Sequence, residues 1–332
     1  MHAVLGGEAI LRRNYQDLTF CPQDKSEDLR ESRRRTTKAL RTNRPDMRAI
    51  DPAVLGSDEQ LRLVEKRFLP PSFAKLTEVA LAINEQESLS AVMNTGEHLL
   101  MQARDDAGQL EALVDALRHL EQAFIQPDYP FAHDERFGYL SYSPVLAGSG
   151  LHLSLVMHLP MLGFLKQIRA LGEPLKERLN CQLKPFFQEK GRNPGNLFIL
   201  SNISSFGLTD EDILVQLRKA AALVAGKESG LRDKAFHATR VTPLADQAWR
   251  AYGTLRYARR LTRNDFLALW SKMRLGAKAG ILPVPMEVTD RMLKFGGDSR
   301  YMNNGGGQKT CPFRRADEVR QALSGGKDAN IR

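Results

Sequence analysis

The side chains of this 332-residue chain that could do chemistry are mostly cations, and the chemistry they suggest is the holding of an anion. Arg30, Arg33, Arg34, Arg35, Lys38 and Arg41 crowd one segment of a chain whose net charge is +9, so nucleic acid, phosphorylated protein or an anionic surface are all plausible partners. Acids precede bases along that segment, as suits a helix dipole, so a solvated helix face explains the same residues. No aromatic residues are interleaved to stack on bases, which argues against single-strand binding. His152 and His158 fall on one face of an extended run, but six residues at about 3.3 Å each hold them roughly 20 Å apart, too far to share a metal. His158 reads as a core residue, and His133, Asp134 and Glu135 form no recognisable catalytic set. No G-x4-G-K-[ST], H-E-x-x-H, G-x-S-x-G or G-x-G-x-x-G occurs. Cys21, Cys181 and Cys311 are far apart and unpaired in sequence, against a disulfide framework or zinc knuckle.

The elements that must position these residues are of both kinds. A helix is predicted from Asp24 or Ser26 through the basic segment, and Pro70–Pro71 impose a break. Two short strands follow in 79–94, then an amphipathic helix at about 106–125. A buried strand ends near Pro160. A strand pair in 180–202 precedes a helix capped by Thr209 or Asp210, with Glu211 and Asp212 in its first turn. From residue 230 the pattern is helical, with Trp249, Tyr252, Tyr257, Leu261 and Trp270 as core or dimer seam and a final helix after Pro312. Residues 303–309 read as a glycine-rich loop. With 42% hydrophobic residues the chain can bury a full core. No apolar run is long enough to cross a membrane and no signal peptide is evident, so a cytoplasmic location is expected.

The stretch FGYLSYSPVLAGSGLHLSLVMHLPML (137–162) resembles the catalytic core of the ATP:guanido phosphotransferases. The segment AYGTLRYARRLTRNDFLALWSKMRLGAKAGIL (251–282) is similar to the bacterial protein-arginine kinases in particular. The resemblance implies an α+β fold, an antiparallel sheet flanked by helices, over residues 1–228. It implies a small all-helical dimerisation domain over 229–324, and 325–332 reads as a disordered tail.

Transfer of a γ-phosphoryl group to a guanidinium needs a cage of cations around the phosphates and a carboxylate to orient the acceptor and take its proton. In the register the resemblance implies, the family's phosphate arginines correspond to Glu8, Ile10, Leu100 and His152, and only Lys184 stays basic. The paired glutamates of the family's N-E-E-D-H-x-R correspond to Thr95 and Gly96, beside Glu97 and His98, and its cysteine to Ser143. His98, Lys190 and Arg192 are candidate helpers. At about 1.5–3 kcal/mol per charge-assisted bond, four lost arginines would weaken nucleotide binding by roughly 6–12 kcal/mol if the losses added. Near the end, Arg314, Arg315, Asp317 and Arg320 resemble a phosphoarginine-docking signature, and an amphipathic solvated helix is the alternative.

The expectation is therefore a pseudokinase with no cofactor, acting as a homodimeric binding or regulatory module on arginine-phosphorylated or acidic protein. The alternative is an active protein-arginine kinase with a rebuilt site that uses Mg-ATP. No metal site is expected.

Overall fold

The computed structural model describes residues 3–19, 25–187, 193–236, 242–302 and 307–324. In chain order the elements of the first part are β1 (Val4–Arg13), α1 (Ser26–Asn43), β2 (Met47–Ile50), α2 (Ser57–Glu65), β3 (Ala80–Asn84), β4 (Leu89–Met93) and β5 (Leu99–Asp105). They continue with α3 (Leu110–Gln122), a two-stranded ribbon β6 (His133–Asp134) and β7 (Gly138–Tyr139), β8 (Leu151–His158), α4 (Pro160–Phe164), α5 (Gly172–Leu179), β9 (Cys181–Pro185), β10 (Leu197–Asn202) and α6 (Asp210–Phe236). The last part is helical: α7 (Pro243–Tyr257), α8 (Arg263–Lys278), α9 (Met286–Met292), α10 (Ser299–Met302) and α11 (Gly307–Leu323).

Eight strands form one antiparallel sheet in the order β2-β3-β4-β5-β1-β8-β10-β9. Side chains alternate between its faces, so the sequence of β1 sorts itself into two sets. Ala9 and Leu11 join Met101, Ala103, Leu153 and Leu155 in the main core, closed by Leu113, Leu117 and Leu120 of α3 and Ile213 and Leu217 of α6. The other face is covered at both ends by apolar clusters, with a polar stretch between them. At one end Leu63, Phe68 and Phe73, from α2 and the chain after it, pack on Leu81, Ile83 and Val92. At the other end α8 and its neighbours pack on Leu197, with Leu5, Val156, Phe186 and Phe187 against that cluster. Between these clusters the face carries Glu8, Ile10, Arg12, Gln102, His152 and Ser154, all buried or half-buried, and this stretch is called the cleft below.

The mixed fold, with the antiparallel sheet followed by helices, agrees with the expectation. The boundary expected at residue 228 falls inside α6, which continues to Phe236; Glu228 is buried there, its carboxylate accepting from the amides of Met161 and Leu162 at 2.9 and 3.0 Å. The helix expected at 106–125 is shorter because Asp105 caps its approach, accepting from Gly108 and Gln109. α1 begins at Ser26, with Lys25 ahead of it and no side-chain cap. Thr209 does cap α6, its hydroxyl accepting from the Asp212 amide at 3.1 Å. Pro312 lies inside α11 instead of before it. The expected tail 325–332 and most of the glycine-rich loop lie outside the described residues.

Candidate functional site

The strand register collects the residues of the cleft face. Glu8, Ile10 and Arg12 alternate along β1; across β5 they face Arg104, Gln102 and Leu100, and across β8 Ser154 and His152 stand opposite Glu8 and Ile10. Lys184 lies two strands further on, paired through Ile199 to Val156. Glu8, Ile10, Leu100, His152 and Lys184 therefore share one side of the sheet, although they come from four strands.

Glu8 is buried and holds two guanidinium groups, Arg67 at 2.7 Å and Arg104 at 2.8 Å. Arg104 also donates to the carbonyls of Lys66 and Arg67, which ties the turn after α2 to the sheet. That turn is bent: Arg67 has φ 60, a left-handed conformation few non-glycine residues adopt. Its guanidinium reaches over Phe186, 5.5 Å from the ring centre. The carboxylate of Glu8 thus sits between two cations in the way a bound anion would.

The remaining cations of the cleft are not matched in this way. Arg12 and Lys184 have no side-chain hydrogen bond or ion pair among the described residues. Burial lowers the Arg12 pKa, and the nearby charges of Glu97, Tyr142 and Glu8 oppose that shift. His152 is half-buried by surface exposure but closely surrounded by protein, and its pKa falls to about 3, first through desolvation and then through Arg12, Arg67 and Lys184. The unfolded chain takes up this proton near pH 6.5 and the folded chain only near 3, so the contribution is complete above 6.5 and is lost as pH falls towards 3. Replacing His152 by asparagine is expected to flatten the stability profile on the acid side by up to roughly 1.4 kcal/mol per pH unit. Urea unfolding of both proteins across this range measures it, and equal slopes would contradict the assignment.

The second half of the site is the turn between β4 and β5. Thr95 and Gly96 are half-buried, and a side-chain carbon on Gly96 would lie 3.7 Å from the Tyr142 ring. The turn therefore faces the loop that carries Ser143. Glu97 is not on a strand, so strand alternation does not aim it; it turns inward and accepts from Asn14 Nδ2 and Ser141 Oγ. Desolvation raises its pKa, against the hydrogen bonds of Ser141 and Asn14 and the charge of Arg12. His98 also turns inward. Its Nδ1 accepts from the Tyr15 amide at 3.1 Å, so its Nε2 is the nitrogen that donates to the Thr19 carbonyl, also at 3.1 Å. Both ring nitrogens are engaged with backbone, so the expected helper role of His98 on a phosphate is corrected to a structural one.

Two glycines and an arginine fix the loop beside this turn. At Gly148, φ +95, an added Cβ would lie 2.4 Å from the Ser205 carbonyl; at Gly150, φ +71, it would lie 2.7 Å from an Arg13 nitrogen. Arg13 is wholly buried, bonded to Glu121 and to the Ser149 carbonyl and stacked on Tyr139 at 3.4 Å. The close approach of this guanidinium is why the backbone at 150 has room for nothing larger than glycine.

With this geometry in view, comparison with known proteins is decisive at the level of family. Residues 30–231 match the model of the ATP:guanido phosphotransferase C-terminal catalytic domain, and residues 241–299 that of the protein-arginine kinase McsB C-terminal domain. The chain belongs to the ATP:guanido phosphotransferase family. Among its relatives, the protein-arginine kinase of Desulforamulus reducens is 34% identical over 69% of this chain and 63% of its own length. That of Symbiobacterium thermophilum is 31% identical over 84% and 80%. The chain therefore spans less than two thirds of the first of these relatives and four fifths of the second. The fold is shared with lombricine kinase, TM-score 0.60 at 16% identity over 70% of this chain and 68% of that one. It is also shared with the duplicated taurocyamine kinase of Schistosoma mansoni, TM-score 0.59 at 19% identity over 80% and 39%. β1, which carries Glu8 and Ile10, precedes the matched catalytic segment.

The other predicted cations are placed differently from the surface patches expected of them. In the helical part of the chain, Arg315 is wholly buried, donating to the carbonyls of Phe295 and Leu261 and paired with Asp298. It is a structural strut, which corrects its assignment to docking. Arg320 donates to the Ala258 carbonyl at 2.7 Å and pairs with Asp317, and Arg314 donates to the Tyr301 carbonyl at 3.1 Å. On α1, Arg35 is buried between Asp17 and Glu31, Arg33 pairs with Asp51 and Glu78, and Arg34 with Glu31. Arg30, Lys38 and Arg41 remain exposed. Half of the expected polyanion patch is therefore internal ion pairing. Lys190 and Arg192 lie outside the described residues.

Arg67 and Arg104 are the site residues that sequence reasoning missed, while Arg12 stands out in sequence only as a neighbour of the replaced arginine positions. The alternation Glu8, Ile10, Arg12 puts Arg12 on the same face. Arg67 and Arg104 needed the pairing of β1 with β5 and the left-handed turn. Among the described residues no cluster of three His, Cys, Asp or Glu could hold a metal, and no helix is long and apolar enough to cross a membrane.

Proposed function

We propose that this chain is a phosphoryl-transfer-incompetent member of its family, a protein-arginine-kinase homologue that works as a homodimeric binding or regulatory module in the cytoplasm. The observation that carries the reading is the Glu8 carboxylate clasped by Arg67 and Arg104 on the cleft face of the sheet. A carboxylate fixed there repels a nucleotide phosphate and occupies the donors one would use. Thr95, Gly96 and Ser143 supply no carboxylate or thiol, and Glu97 spends both oxygens on Asn14 and Ser141. The partner suggested by the remaining surface is an acidic or arginine-phosphorylated protein. Asp317 with Arg320, and Arg314 beside them, form the candidate contact on α11; Arg30, Lys38 and Arg41 form a smaller one for polyanions.

A second reading, an ATP-dependent arginine kinase with a rebuilt site, draws on one observation: Arg12 lies unpaired in the cleft near Glu97. Incubation with γ-labelled ATP, magnesium and an arginine-rich protein separates the two. The first reading expects no acid-labile label above a heat-inactivated control. Labelling that disappears in Arg12→Ala would establish the second.

A further inference from the structure

A separate concentration of cations lines a cavity where α4, α6 and α8 meet, beyond the far end of β8. The cavity is a half-open pocket of about 340 Å³, within the range of small-molecule sites. On one wall α6 presents Ala222, Ala225, Gly226 and Ser229 at helical spacing. A Cβ added at Gly226 would meet no atom within 4 Å, so open space lies directly against the helix. The facing wall is α8, with Arg274 and Lys278 one turn apart.

Most of the charges that line this cavity are already engaged within the protein. Glu228, the acid in its lining, has both oxygens committed to the Met161 and Leu162 amides. Arg232 donates to Ser229 Oγ at 2.6 Å and pairs with Asp233 at 2.9 Å. Arg274 pairs with Asp290 at 2.7 Å and donates to His158 Nδ1 at 3.1 Å, while His158 Nε2 donates to Ser271 Oγ at 2.8 Å. Lys278 has no such partner among the described residues. Its ammonium pKa is lowered by burial first and then by Arg232 and Arg274, with the carboxylates of Asp290 and Asp233 opposing the shift. A partly buried ammonium with two guanidinium groups nearby is favoured by an anion entering the open space.

We propose that this cavity binds a small phosphate-bearing molecule, with Lys278 as the uncommitted charge, Arg232 and Arg274 flanking it, and the groove at Gly226 receiving the rest of the ligand. Two guanidinium forks and an ammonium suit a tetrahedral dianion better than a planar carboxylate. The ligand bridges α6 to α8 and so ties the sheet to the helical part. The site lies away from the cleft face of the sheet and does not depend on the function proposed above.

Calorimetric titration of the full chain with inorganic phosphate and with phenyl phosphate, ionic strength held with chloride, tests it; acetate is the carboxylate arm. Saturable binding of both phosphates is expected. Lys278→Met should weaken it about tenfold or more, the loss of one charge-assisted bond, and Lys278→Arg should retain it. Gly226→Leu, which fills the groove and favours helix, should abolish binding of phenyl phosphate without lowering the unfolding midpoint. No phosphate binding by the unaltered chain, equal binding of acetate, or unchanged phenyl phosphate binding by Gly226→Leu would overturn the assignment.

Discussion

Glu8→Gln is expected to destabilise the chain by about 3 kcal/mol, the low end of the range for removing one member of a buried ion pair. The low end applies because Arg67 keeps 39% of its side-chain surface exposed, where water screens its charge. Arg104, with 19%, bears the larger loss. Without the carboxylate, two guanidinium groups face each other across the cleft floor, and Arg104 holds Arg67 there through the Arg67 carbonyl. The same change creates an anion site. Sulfate at constant ionic strength should therefore raise the unfolding midpoint of the variant more than that of the unaltered chain. Urea unfolding gives the first quantity and a sulfate titration of the thermal midpoint the second. A variant of unchanged stability, or one with no extra response to sulfate, would show that Glu8 is not standing in for a bound anion.

The parts of the fold most legible in the sequence were those whose signal is local. Short apolar runs broken by polar turns gave away β3 with β4 and β9 with β10. Thr209 with Asp212 marked the start of α6, since a hydroxyl and an acid three residues apart satisfy the first free amides. What was not legible came from contacts between distant segments. Arg315 has the composition of a surface cation, yet three oxygen partners, from Leu261, Phe295 and Asp298, draw it wholly inside. His98 aligns with a site histidine, but the backbone of Tyr15 and Thr19 takes both its ring nitrogens. Arg104 becomes a partner of Glu8 only through the antiparallel register of β1 and β5. Glu97 lies in the turn between β4 and β5, so strand alternation says nothing of where its carboxylate points.

The largest effect expected of this chain is a failure to bind nucleotide. Of the cation positions that the family resemblance assigns to phosphate, Ile10 and Leu100 offer no charge, Glu8 offers the wrong one, and His152 stays neutral until about pH 3. Half of the additive loss is roughly 3–6 kcal/mol, a hundredfold to ten-thousandfold in affinity. Arg12 and Lys184 recover part of this only if both reach one phosphate. Calorimetric titration with Mg-ADP and Mg-ATP, alongside Glu8→Gln, puts the matter to its most direct test. The unaltered chain should show no saturation below about 10 mM, and Glu8→Gln should bind measurably more tightly. Micromolar binding of Mg-ADP by the unaltered chain would contradict the account.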